Sequence, residues 1–556
     1  MKITVSELLV KYIERLGIEF IFGMPGAHIL PVYDSLYHSR VKTVLAKHEQ
    51  GASFMACGQA RASGNISACI TTAGPGATNL VTGVANAYVD KQPVLIITGE
   101  TSTHIFGKGG LQESSGEGGT IDQYALFKGI TKYNKVIERT DYIASVLNTT
   151  SKILLSDNSG PVLLSIPFNV QKETVDDSLL DEIKTGNNRN SLSAQSKDIL
   201  ALTDLMVKAN APVIISGYGS IRSNAQAVIT ELSKAMNIPV TSSLKGKGSI
   251  SEQSELSLGC LGVTSYGQAY KYISEQADLL IFLGAGFNER TSYLWDKELL
   301  KNKKIIQVDL DESQLEKVFK ADVAVHGDIK GVLQALFDSL EAIGAERKHY
   351  KPVTDNDTSK VQESSQNDAE IFKAKFPLMA AFFDRLEQGV KKNIQVFDDN
   401  IIFAQNFYNV SSANRYYPNS GVSSLGHAIP AAIGARFSVK KPTFAILGDG
   451  GFQMCCMEIM TAVNYSIPIT IVMINNSTMG LIRKNQYQQY EQRFIDCDFI
   501  NPDYKQLALS FGINYRRVEN EADLNPLFEE CDFDNSINLI EIMLDKDSFP
   551  NYVTKR

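Results

Sequence analysis

Residues 448–480, GDGGFQMCCMEIMTAVNYSIPITIVMINNSTMG, set two oxygen-bearing side chains at an informative spacing. An apolar run, TFAIL, ends on Gly448-Asp449-Gly450, and a second, PITIVMI, ends on Asn475-Asn476. The interval of 27 residues from Asp449 to Asn476 suffices for one crossover helix and a return strand beside the first. A carboxylate and an amide oxygen then arrive at neighbouring strand ends. Magnesium takes hard oxygen ligands in a tight octahedron and shares them with phosphates. Asp449, Asn476, a backbone carbonyl at Thr478, two phosphate oxygens and a water would complete that shell. Gly448, Gly450 and Gly451 would let backbone amides approach a diphosphate closely. Either GDGG or NNS alone is also what an ordinary turn after a strand looks like; the pair, in this order, points to a metal–diphosphate site.

Such a pair needs parallel strands to hold it, and the chain supplies them three times. ISACITT, PVLIITG and PVLLSIP come first, then APVIISG, DLLIFLG and KIIQVDL, then TFAILGD, PITIVMI and NLIEIML. Continuous apolar strands separated by helical patterns indicate parallel sheets covered on both faces. Polar stretches at 176–198 and 346–368 read as linkers. The expectation is an α/β protein of three doubly wound parallel-sheet domains, 1–175, 190–345 and 369–556, with ligands beyond the carboxyl ends of strands.

Composition narrows the function classes. The 556 residues are 44% hydrophobic and 21% charged, the balance of a soluble globular protein, and the net charge of −8 disfavours a nucleic-acid binder. Seven scattered cysteines without a C-x-x-C pair disfavour a disulfide framework or zinc site and suit a cytoplasmic enzyme. The N-terminal MKITVSELLVKYIERLGIEF reads as an amphipathic helix rather than a signal peptide, and no apolar stretch is long enough to span a membrane.

The 448–480 segment resembles the thiamine-diphosphate signature, GDG followed by about thirty residues and NN. The family reading makes Asp449 and Asn476 metal ligands, with Thr478 giving its carbonyl. IFGMPGAHILPVYDSL (21–36), VLAKHEQGASFMACGQARASG (44–64) and TTAGPGATNLVTGVANAY (71–88) resemble the pyrimidine-binding domain of acetolactate synthase and its relatives. The resemblance implies that Glu49 is the carboxylate that hydrogen-bonds the aminopyrimidine, and that Pro25, Gly26, Gly74 and Asn79 belong to the cofactor site. Leu425, in NSGVSSLGHAIPAAIGAR, takes the position of the apolar wedge that bends the cofactor. Gln112, in GKGGLQE, matches a glutamine on the substrate side. His28, in GAHI, resembles benzaldehyde lyase, whose histidine there acts in proton transfer; a locally packed histidine fits equally well. A homodimer or homotetramer is implied, because in the family one subunit's pyrimidine domain faces another's diphosphate domain.

LLIFLGAGFNERTSYLWD (279–296) resembles the flavin-side segment of acetolactate synthases, with Arg290 matching its arginine and Gly286 and Asn288 replacing an arginine and an aspartate. SGYG, SSLKGKG, VDLD and GD add Gly217, Ser243, Leu244, Gly284, Asp309 and Asp328 to an FAD-site expectation, with a nucleotide diphosphate or an empty groove as alternatives. Two departures concern the acceptor. Asn485 stands where the biosynthetic enzymes have a tryptophan, and an insertion of about seven residues within SSGEGGTIDQ follows Gln112, a candidate lid. The resulting expectation is a carboligase that decarboxylates a 2-oxo acid such as pyruvate and transfers the two-carbon unit to a carbonyl acceptor. Acetyl transfer to a nucleotide-linked keto sugar, benzaldehyde-lyase-like cleavage and simple decarboxylation are the rivals. A dinucleotide-dependent dehydrogenase is disfavoured because no G-x-G-x-x-G opens a βαβ unit.

Overall fold

The computed structural model describes residues 1–186, 194–345, 349–350, 369–390 and 393–550. Its core is three six-stranded sheets in which every neighbouring pair is parallel. A short antiparallel pair, β1 (Lys2–Thr4) with β8 (Thr174–Asp176), ties the amino end to the close of the first unit. The first sheet holds β2 (Phe20–Gly23), β3 (Lys42–Leu45), β4 (Ser67–Thr71), β5 (Val94–Glu100), β6 (Tyr133–Val136) and β7 (Val162–Pro167) in the order 3-2-4-5-7-6. The third holds β15 (Gln395–Asp398), β16 (Arg415–Pro418), β17 (Thr443–Gly448), β18 (Thr470–Asn475), β19 (Asn514–Val518) and β20 (Asn538–Met543) in the order 16-15-17-18-20-19. Numbered from their own first strands, both follow one pattern, 2-1-3-4-6-5.

The central sheet is different. Its strands β9 (Pro212–Ser216), β10 (Val240–Ser242), β11 (Ser257–Cys260), β12 (Leu279–Leu283), β13 (Lys304–Asp309) and β14 (Val323–His326) run 11-10-9-12-13-14. That is the 3-2-1-4-5-6 order of dinucleotide-binding folds. In all three sheets the strand order reverses beside the first strand: between β2 and β4, between β9 and β12, and between β15 and β17. Crevices open beyond the carboxyl ends at such points, so the topology marks three places to look for ligands.

All nine apolar runs singled out in the sequence are strands, and six of them, β4, β5, β7, β9, β12 and β18, are buried at every residue. Two expectations need adjustment. The amphipathic N-terminal helix is confined to Val5–Arg15, where a capping box between Thr4 and Glu7 starts it after β1. The polar stretch 176–198 is folded at both ends: Leu180 and Ile183 enter the first core, and a helix begins at Ser196; 187–193 lies outside the described residues. Of 346–368 only 349–350 is described, and there Tyr350 is buried on the central unit, its backbone N–H bonded to Met236.

The first and third sheets share one hydrophobic core. Phe22, Cys69 and Ile96 from one join Phe397, Ala445 and Ile471 from the other in a single cluster. Between them cross the helices Glu49–Ser63 and Ala428–Ser438, at glycines. A Cβ on Gly58 would lie 2.1 Å from the Ala431 carbonyl oxygen, and one on Gly434 would lie 2.0 Å from that of Met55. The crossing therefore brings backbone against backbone, and it carries Glu49 at the start of one helix.

Candidate active site

β17 and β18 pair in parallel, with Gly448 opposite Ile474, so Asp449 and Asn475-Asn476 emerge side by side as the spacing predicts. Asp449 opens the Asp449–Cys455 helix and is almost wholly buried. Its Oδ2 accepts from the Ser477 N–H at 2.7 Å and the Asn501 amide at 2.8 Å, and its Oδ1 from the Gly450 N–H at 3.0 Å. Burial pushes the Asp449 carboxyl up from its ordinary range, and those donors oppose the shift. Asn476 is half-buried beside it, whereas Asn475 turns inward to Glu541. Thr478 is fixed by its hydroxyl on the Cys497 carbonyl at 2.8 Å. Above Gly448 the space is open: a Cβ there would meet nothing nearer than 3.9 Å. The described residues contain no group of three or more His, Cys, Asp or Glu able to hold a metal, so a cation here would use one carboxylate, amide and carbonyl oxygens and the ligand's own phosphates.

Next to this turn, Asp399 at the end of β15 accepts three backbone N–H bonds, from Gly426 at 2.8 Å, His427 at 3.1 Å and Ala428 at 2.9 Å. Burial and the adjacent Asp398 push its carboxyl to about 8, against those three donors. The cradle fixes the chain after the half-buried Leu425 and sets Gly426 against Met454 and Cys455.

At the first sheet's switch point, the loops after β2 and β4 meet the 107–122 segment. Gly26 packs on Thr72, where a Cβ would come within 2.6 Å of the threonine Cβ. Thr72 donates to Gln112 Oε1 at 3.3 Å and accepts from the His28 N–H at 3.3 Å. Gln112 has φ +53° and lies against Gly74, itself at φ +61°, whose N–H bonds Ser114 at 3.0 Å. His28 Nε2 donates to the Leu111 carbonyl at 2.8 Å, and its ring meets Phe168 edge-on. Pro25 is exposed beside them. His28 and Gln112 are thus gathered in one place. Glu49, half-buried at the first position of its helix, accepts 2.9 Å from the Asn79 amide. The inserted Gly-Ser stretch is closed by a bridge between Ser115 and Asp122, with Gly116 N–H on the Ile121 carbonyl at 3.0 Å.

The central switch point opens into a cavity of about 750 Å³. Ser243, Leu244, Gly284, Arg290 and Asp309 line it, together with Lys91, Arg222, Trp295 and Asp311. Burial raises the Asp309 carboxyl. Gly217 is not in the lining; it lets β9 and β12 approach, since a Cβ there would sit 2.1 Å from the Gly284 carbonyl oxygen. Asp328 is not among the residues that line the cavity; its carboxylate caps the Ile329–Ala342 helix through the Gly331 N–H at 2.9 Å.

Two residues were missed. Asn501 bridges Asp449, Asn475 and Ser477 with one amide, while its Oδ1 accepts from Gln453 and Tyr504, each at 2.7 Å. Glu458 is buried and accepts from the Lys47 and His48 N–H groups just before Glu49. Neither carries a local motif, because the acceptors of the Asn501 amide lie 24 to 52 residues away and the N–H groups held by Glu458 410 to 411.

A buried carboxylate and an amide at paired strand ends of one sheet, a carboxylate at a helix start on another and a dinucleotide-type sheet between them define a class. The chain belongs to the thiamine pyrophosphate enzyme family: the family's N-terminal TPP binding domain matches residues 3–125, its central domain 199–336 and its C-terminal TPP binding domain 400–542. Among curated proteins it is similar to acetolactate synthase large subunits. That of Cyanidium caldarium is 32% identical over 94% of this chain and 89% of the relative. That of Lactococcus lactis is 30% identical over 97% and 92%, and the Escherichia coli isozyme 1 large subunit 30% over 95% and 92%. The protein is a thiamine-dependent enzyme of acetolactate synthase type, acting on small molecules. No helix among the described residues is long and apolar enough to cross a membrane.

Proposed function

We propose that this enzyme is a magnesium-dependent carboligase that decarboxylates a 2-oxo acid, pyruvate in the first instance, and passes the two-carbon acyl unit to a carbonyl acceptor. The observation that carries the reading is the buried Asp449 beside Asn476 at paired strand ends, under the open space at Gly448. When bound, thiamine diphosphate supplies the electron sink for decarboxylation. In this reading Asp449, Asn476 and the Thr478 carbonyl hold magnesium, and Gly448, Gly450 and Gly451 face the diphosphate. Leu425 supports the cofactor's bend, Pro25, Gly26 and Gly74 shape its pyrimidine pocket, and Asn79 orients Glu49 so that its carboxylate meets the aminopyrimidine. Gln112 holds a substrate oxygen. His28, with Nε2 donating to Leu111, keeps a lone pair on Nδ1 when neutral, the acceptor for a hydroxyl proton near the acceptor carbonyl.

The central cavity is assigned FAD in a structural role. Supporting this are the strand order, the half-buried Asp309 at the end of β13, the cations Arg222 and Lys91 for phosphates, and Arg290, Ser243, Leu244 and Gly284 in the wall. The three functional units are 1–175, 190–345 and 369–556. A cytoplasmic setting suits seven free cysteines. Assembly as a homodimer or homotetramer suits the exposed apolar residues around both half-sites: Leu111 near His28, and Met454, Met457 and Ile482 near Asp449.

The test is release of CO₂ from pyruvate by purified protein, with and without thiamine diphosphate and magnesium, with products identified. Cofactor-dependent release with acetolactate or acetoin formed supports the reading; no release from protein that binds the cofactor overturns the donor assignment. The half-buried Asn485 and the closed 115–122 turn favour, as a second reading, a larger polar acceptor such as a nucleotide-linked keto sugar. Adding candidate keto sugars to the same assay separates the two.

A further inference from the structure

One segment touches two of the three crevices. Residues 419–427 run from the end of β16 to the Ala428–Ser438 helix. At the near end, the Asn419 N–H bonds the Asp398 carbonyl at 2.8 Å, and the Asn400 amide bonds the Asn419 carbonyl at 2.6 Å. In the middle, Ser420, Gly421 and Ser423 form part of the central cavity wall. Gly421 is pressed against the other units there: a Cβ would lie 2.7 Å from Asp90 Oδ1 and 3.1 Å from Lys245 Nζ. At the far end, Asp399 holds the Gly426 and His427 N–H groups and also abuts Gly451 of the diphosphate turn, where a Cβ would be 3.5 Å from Asp399 Oδ2.

This strap is short and only partly self-satisfied. The five steps from Gly421 to Gly426 span at most about 18 Å, so restricting one end restricts the other. Ser423 sits at φ +61° and Gly426 at φ +80°. Asn419 Oδ1 and Ser424 Oγ are buried without a hydrogen-bond partner. A ligand filling the central cavity lies along Ser420, Gly421 and Ser423. Ordering them also orders Leu425 and the N–H groups around Asp399, and any ordering already accomplished is ordering the second ligand need not impose.

The geometry points to a positive thermodynamic coupling between the central cavity and the diphosphate site, carried by residues 419–427. A nucleotide-type ligand in the cavity raises affinity for thiamine diphosphate, and thiamine diphosphate raises affinity for the nucleotide by the same factor, as linkage requires. The inference rests on the nucleotide assignment of the cavity.

The protein's single tryptophan, Trp295, lines that cavity and reports its occupancy. The experiment uses the full chain stripped of small molecules. FAD, and separately ADP, is titrated by calorimetry and Trp295 emission, with and without saturating thiamine diphosphate and magnesium; thiamine diphosphate is then titrated with and without saturating FAD. Both dissociation constants are expected to fall by one common factor, roughly five-fold or more. Ser423→Gly, which loosens the strap, is expected to bring that factor toward one. If FAD binds and neither constant changes, the coupling is overturned while the cavity assignment stands. If neither FAD nor ADP binds, both fall. An undiminished factor in Ser423→Gly overturns the strap as the route.

Discussion

Asn501 and Glu49 test the site from opposite ends. Removing the Asn501 amide leaves Asp449 with one fewer donor and frees Asn475 and Ser477 to reorient. Hydrogen bonds to charged groups contribute about 1.5–3 kcal/mol, so Asn501→Ala should weaken magnesium-dependent cofactor binding by about ten-fold or more, read by calorimetry. Glu49→Gln should behave oppositely: cofactor binding is retained, and turnover falls about 10²-fold or more, the range for loss of a proton-transfer group. Unchanged turnover would remove Glu49 from the chemistry. His427 belongs to stability. Burial first, then the Arg61 charge, depress its imidazole to about 3. Between that value and the ordinary 6.5 the unfolded chain binds the proton and the folded one does not, so stability is present above pH 6.5 and is lost as pH falls. The slope is up to about 1.4 kcal/mol per pH unit, and His427→Asn should flatten the acid limb of melting temperature against pH.

The elements show what was legible and why. β17 and β18 were readable because strands buried on both faces are continuous apolar runs, and their separation fixed the crossover between them. Short or mixed strands such as β3 and β16 carry no such run, and their places come from pairing with longer neighbours. The same division holds in the site. Asp449, Asn476 and the two loops bearing His28 and Gln112 have local signatures, whereas Asn501 and Glu458 act on residues distant in sequence. Asp328 carries two readings in sequence, because a helix cap and a nucleotide-binding carboxylate share one position after a strand. The glycine crossing likewise leaves no motif, only alanine- and glycine-rich helices. Gly434→Ala puts a methyl on the Met55 carbonyl and should cost about 1–3 kcal/mol by overpacking, seen as a lower melting midpoint in denaturant.

At the scale of the molecule, the proposed dimer makes a prediction no single chain can satisfy. If each site joins Glu49 of one copy to Asp449 of another, Glu49→Gln and Asp449→Asn are each inactive alone. Co-expressed, they form mixed dimers with one intact site, and activity reappears. Silence from the mixture would place both residues in a site within one chain.

Arg61 binds these scales together. Its guanidinium, 3% exposed, lies 3.5 Å from Asp90, donates to the Pro418 carbonyl at 3.0 Å and is stacked near Tyr218 and Tyr417, at 5.3 and 5.4 Å. Those partners come from all three units. Enzymes of this architecture invite modular recombination, in which a central or terminal unit is exchanged with a relative's to change cofactor or acceptor. Here a crossover that separates Arg61 from Asp90, Tyr218 or Tyr417 leaves a buried cation without its setting. Chimeras should be viable where the incoming unit supplies the same member of that quartet and fail where it does not, whatever the match at the active site itself.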